Sequence, residues 1–156
     1  MALVRILVDG YSLLHQWPEL ARGKPRHSAA ARAELVHFLT RYQHAIGTPI
    51  TIFFDGSGAP PSVPSPESSD QVEVLFSKAG RTADDLIERA THRFQAYGEV
   101  LVVTDDQAER DTVMGFGGLA ASCSGFISTV HGVLADFANE LKQYNRTENH
   151  RFKQNR

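Results

Sequence analysis

Four aspartates stand where hydrophobic runs end. Asp9 follows Leu3-Val4-Arg5-Ile6-Leu7-Val8, Asp55 follows Ile50-Thr51-Ile52-Phe53-Phe54, and Asp105-Asp106 follow Val100-Leu101-Val102-Val103-Thr104. A further acidic pair, Asp84-Asp85, opens a helical stretch. Carboxylates brought close together repel, and they raise one another's pKa unless a cation joins them. A hard divalent ion such as Mg²⁺ or Mn²⁺ takes oxygen ligands and resolves that conflict. The chemistry on offer is a metal-dependent acidic site, provided that folding gathers side chains far apart in the chain.

The elements needed to gather them are legible. β-rich runs alternating with helical patterns predict an α/β fold whose parallel sheet carries helices on both faces. The carboxyl ends of parallel strands share one edge, where ligands bind. Strands are expected at 3–8, 50–54, 72–77 and 100–103, with a short fifth at 119–121. Ser28 can cap a helix to about Ile46, ended by Gly47. Residues 83–97 form an amphipathic helix and 106–114 a short one. A last helix is expected from Ser122 to about Tyr144. Gly, Pro and Ser crowd the segment 56–70, a composition typical of lids, binding loops and disordered pieces.

A chain of 156 residues fits one domain with a proper core. We place that domain at 1–144 and read 145–156 as a basic, flexible tail. From Lys142 onward there are five Lys/Arg (Lys142, Arg146, Arg151, Lys153, Arg156) against one acid, Glu148, although the whole chain carries −2. The single cysteine, Cys123, excludes an intramolecular disulfide and a cysteine-cluster zinc site and fits a reducing cytoplasm. No apolar stretch of membrane length is present, so no membrane partner is expected.

Each acid also has an ordinary structural role. Asp9-Gly10 is a turn former, and Asp55 is open between turn former and ligand. Thr82 and Asp85 fit a capping box, which accounts for Asp85 and leaves Asp84 unexplained. Asp84 shares a helix face with Glu88. Of the pair Asp105-Asp106, one can cap the next helix. Asp106 is the expected inward carboxylate, with Asp105 as the cap or as support around a metal. His15 and Trp17 follow the first aspartate, where an aromatic can stack on a base, but a core or rim role suits Trp17 better.

In this order and spacing, Ile6-Leu7-Val8-Asp9-Gly10-Tyr11, Phe53-Phe54-Asp55-Gly56, Val74-x-Phe76-Ser77-Lys78, Thr82-Ala83-Asp84 and Val103-Thr104-Asp105-Asp106 resemble the YacP-like NYN branch of the PIN-like nucleases. The resemblance spans roughly residues 4–130. It implies a three-layer α/β/α fold with a mainly parallel sheet of four to five strands. It also implies Mg²⁺- or Mn²⁺-dependent endoribonuclease activity. Carried over by position, Asp9, Asp84 and Asp106 are the catalytic and metal-binding set, with Asp55 and Asp105 as further metal candidates. Ser12 stands where the family usually has Asn after Gly-Tyr, and a shorter side chain there changes how substrate is held. RNA is the implied partner, presented alone or by a larger assembly such as a ribosome. Its backbone needs cations, for which Arg22, Lys24, Arg26, Lys78, Arg81 and the tail are candidates.

Two rivals remain at this level. A phospho-receiver domain would pair its acids after the first strand, whereas here the pair follows the fourth. A non-catalytic RNA-binding or scaffold protein could keep the fold without the chemistry.

Overall fold

The computed structural model describes residues 2–25, 28–56, 68–78 and 81–154. Five strands form one parallel sheet: β1 (Leu3–Asp9), β2 (Ile50–Phe54), β3 (Val72–Phe76), β4 (Glu99–Val103) and β5 (Leu119–Ala121). Their order is β3-β2-β1-β4-β5, and every pairing is parallel. The helices are α1 (Gly10–His15), α2 (Ala29–Ile46), α3 (Ala83–Gln95), α4 (Gln107–Gly115) and α5 (Cys123–Gln154), with a 3-10 turn at Pro18–Ala21. This is the expected three-layer architecture.

The continuous apolar runs follow from burial of both sheet faces. Alternate side chains of β1 go to opposite layers. Ile6 and Val8 join Leu13, Leu14, Trp17, Leu35, Leu39, Phe126 and Val130 in the core under α1, α2 and α5. Leu7 joins Phe53, Ile87, Val102 and Val113 under α3 and α4. Arg5, the one charge in the run, donates to Thr51 Oγ1 at 3.0 Å and lies 4.3 Å over the Phe94 ring.

Local chemistry sets the helix ends. The Ser28 hydroxyl accepts from the Ala31 amide, and Gly47 closes α2 at φ 79°. Thr82 and Asp85 form the expected capping box. Trp17 is a core residue, 1% exposed and packed against Phe38 and His131, so it offers no stacking platform. The last helix passes its expected end at Tyr144 and continues to Gln154, into the segment taken for a tail. That segment contains neither Gly nor Pro, so nothing local stops the helix. Among the described residues, no helix is long and apolar enough to cross a membrane.

The winding reverses at β1. From there the chain adds β2 and β3 on one side, then β4 and β5 on the other. A crevice opens at such a switch point, beyond the carboxyl ends of β1 and β4.

Candidate metal centre

Asp9 ends β1 and begins α1. Its Oδ1 accepts from the Ser12 amide at 3.4 Å, so the carboxylate sits at the N-terminus of α1. Gly10 is required next to it. A Cβ at that position would stand 2.3 Å from Phe54 Cε1, so the backbone reaches the crevice only by lying against that ring. Asp84 enters from the first turn of α3 and is half-buried.

The third carboxylate is Glu109, from the first turn of α4. Oxygens of Asp9, Asp84 and Glu109 all lie within 4.8 Å of one another. Glu109 is only 4% exposed, and among the described residues neither of its oxygens has a well-formed hydrogen bond. A buried carboxylate so poorly satisfied is costly. Here the cost shows in proton affinity. The Glu109 carboxyl is raised to about 9, first by burial, then by the adjacent Asp84, with Asp9 adding to it and the Thr104 hydroxyl opposing. Asp9 is raised to about 6, again first by burial; Asp84, Asp55 and Asp106 add to the rise, while the Ser12 amide opposes it. Three carboxylates this close to one another fit a hard divalent cation, which would supply the missing positive charge.

The structure divides the expected site residues between this carboxylate cluster and the turns around it. Asp9 and Asp84 meet as anticipated. Asp106 does not join their 4.8 Å group. It is the N-cap of α4, its Oδ1 accepting from the Ala108 and Glu109 amides at 3.0 and 3.3 Å. The expected assignment of inward and capping carboxylates is therefore reversed for Asp106, which instead fixes the turn carrying Glu109. Asp105 accepts from the Cys123 amide at 2.9 Å and lies 4.0 Å from Arg110. Asp55 accepts from the Ala83 amide at 2.6 Å, tying β2 to the start of α3. Both Asp55 and Asp106 are near enough to act on Asp9 through their charge.

Ser12 Oγ accepts from the Asp105 amide at 3.2 Å and from the Cys123 thiol at 3.7 Å. It thereby joins α1, the β4–α4 turn and α5. Lys78 and Arg81 are exposed in the β3–α3 connection, at the carboxyl edge of the sheet. Arg22 is exposed, and Lys24 lies 3.7 Å from Glu34. Arg26 and loop residues 57–67 fall outside the described residues. Glu88, expected to accompany Asp84, lines a separate open cleft of about 340 Å³ with Arg81, Asp85, Arg89 and His92.

Sequence reasoning missed Glu109 because an acid three residues after an N-cap is an ordinary first-turn residue. Its spacing held the clue. Glu109 precedes the buried Val113 by four residues, so it occupies the inward face of α4.

Replacing Asp106 separates its roles. Asn caps a helix about as well as Asp, whereas Ala costs about 1 kcal/mol. We expect Asp106→Ala to lower the thermal midpoint and Asp106→Asn to preserve it. Loss of divalent binding in the Asn variant, read by titration calorimetry, would make Asp106 a ligand as well as a cap.

A parallel sheet of this order, with carboxylates gathered at the carboxyl edge, belongs to the PIN-like nuclease superfamily. Within it the chain belongs to the YacP-like NYN domain family, whose profile matches residues 6–156. It is 28% identical over 129 residues to the uncharacterized protein YacP of Bacillus subtilis (strain 168), covering 82% of this chain and 75% of that protein. The crystal structure of Rae1 (YacP) from Bacillus subtilis is similar at TM-score 0.76 and 25% identity, covering 95% of this chain and 84% of that one. A single-substitution mutant of the same protein matches with the same TM-score and identity, over 92% and 85% of the two chains.

Proposed function

We propose that this protein is a divalent-metal-dependent endoribonuclease that hydrolyses RNA phosphodiester bonds, using Mg²⁺ or Mn²⁺. The observation that carries the reading is the meeting of Asp9, Asp84 and Glu109 at the switch point, with Glu109 buried and without a well-formed hydrogen bond among the described residues. Membership of a nuclease superfamily supports the reaction class.

A divalent ion bound by these carboxylates supplies charge neutralisation at the scissile phosphate and acidifies water. The chain's own residues prepare that chemistry. Glu109 forms the floor, and α4 holds it there through the Asp106 cap. Asp9 and Asp84 are partly exposed and stand on the side from which a phosphate can approach. Either can take a proton from the attacking water. Ser12 and Asp105 keep the elements in register from behind. Lys78 and Arg81 attract the RNA backbone to an otherwise negative edge.

The decisive assay incubates purified protein and Asp9→Asn with mixed RNAs and Mn²⁺ or Mg²⁺. Wild type should cleave internally, and the variant should lose at least about 100-fold in rate. Equal inertness of the two, with RNA binding intact, would replace this reading by a non-catalytic RNA-binding protein.

A further inference from the structure

In α5 every residue from Ala135 to Gln143 is exposed, with Phe137, Ala138 and Leu141 facing Arg41 and His44 of α2 across an open cleft. At 100° per residue, Lys142, Arg146, His150 and Lys153 fall within about 80° of arc on one face. The acids Asp136, Glu140 and Glu148 lie outside that arc, as does Arg151, which pairs with Glu148 at 3.2 Å. Lys142, Arg146 and Lys153 are exposed and make no ion pair among the described residues.

The same face begins beside the carboxylate centre. Ser124, Ser128 and Asn139 lie on it and are exposed. Ser124 follows Cys123, whose amide is bonded to Asp105. At 1.5 Å per residue, Lys142 stands about 28 Å along the helix from Cys123, and Lys153 about 45 Å. One acid-free surface thus runs from the site to a basic end that includes Lys142, Arg146 and Lys153. A polyanion following this face of α5 from the site meets Lys or Arg charge only after that span.

We propose that this face of α5 is a backbone-binding arm for RNA, selecting strands long enough to reach from the carboxylate centre to Lys142 and beyond. The inference rests on RNA as the substrate class proposed above, but its test does not require cleavage. Fluorescence anisotropy in EDTA would follow binding of poly(U) and of a uridine tetranucleotide to wild type and to Lys142→Gln/Arg146→Gln/Lys153→Gln. Gln keeps the helix propensity while removing the charges. The triple variant should bind poly(U) about 10-fold or more weakly at low salt, with the slope of log K against log salt reduced by about 2.

Two controls locate the effect. Arg151→Gln removes one charge from another face and should leave the poly(U) slope unchanged. In Mn²⁺, tetranucleotide cleavage should be equal in wild type and triple variant, whereas poly(U) cleavage should fall in the variant at sub-saturating RNA. Wild-type poly(U) affinity and slope in the triple variant would overturn the arm. So would an Arg151→Gln loss as large per charge as that of the triple variant, since bulk charge would then be the cause. Binding to phosphatidylserine vesicles that disappears in the triple variant, with poly(U) binding unchanged, would also overturn it. Failure of Asp9-dependent cleavage with the anisotropy result intact would remove the nuclease reading and leave the arm standing.

Discussion

Glu109→Gln should abolish most divalent-dependent RNA cleavage, by at least about 100-fold, while making the metal-free protein more stable. These opposite effects have one origin. Glu109 is buried, has no well-formed hydrogen bond among the described residues and faces Asp84. At neutral pH the metal-free protein must either bury it charged or hold a proton that the unfolded chain would release. As an amide it can donate to Asp84 and carries no charge. Relief of a buried unsatisfied polar group is worth on the order of 1–3 kcal/mol, and each kcal/mol moves the midpoint of a chain this size by about 2–4 °C. A differential scanning experiment in EDTA should therefore show a higher midpoint for the variant. Repeated with Mn²⁺, it should raise wild type and leave the variant nearly unmoved. A variant less stable than wild type in EDTA, yet still stabilised by Mn²⁺, would remove Glu109 from the cation site.

The second large effect is a pH dependence of stability that the cation reverses. Burial, reinforced by neighbouring acids, raises the Glu109 carboxyl to about 9 and that of Asp9 to about 6. In the unfolded chain such groups ionise near 4. Above that pH the unfolded state releases protons that the folded state retains, so stability falls as pH rises. The Asp9 contribution is complete a little above pH 6. That of Glu109 continues towards pH 9. Metal-free protein should lose midpoint steadily between about pH 5 and pH 8.5, with Glu109→Gln removing the upper part of the slope. Divalent binding requires deprotonated ligands, so its stabilisation should grow over the same interval. Urea titrations at several pH values, with EDTA and with Mn²⁺, check both limbs. A metal-free stability that is flat or rising from pH 5 to 8.5 contradicts the burial of these acids.

The fold was legible because both faces of the sheet are buried. That turns β1, β2 and β4 into nearly continuous apolar runs, which few other elements produce at such short length. Ser28, Gly47 and the Thr82–Asp85 pair marked helix ends through chemistry acting over three or four residues, as the structure bears out. The centre was legible only in part. Asp9 and Asp84 could be named because each closes or opens an element that must reach the carboxyl edge. Asp105, Asp106 and Glu109 could not be sorted, since capping and ligation both ask for an acid within the same helical turn.

From sequence alone, then, come the element order, the expectation of a parallel sheet and a set of acids at its carboxyl edge, because hydrophobic period and capping are local properties. Tertiary structure alone decided that Glu109 turns inward to meet Asp9 and Asp84 while Asp106 caps, and that Ser12 ties three elements together. Those outcomes depend on which side chain is left without a well-formed hydrogen bond once α3, α4 and α5 pack around the end of β1. That is a property of contacts between distant segments, and no window of the chain contains it.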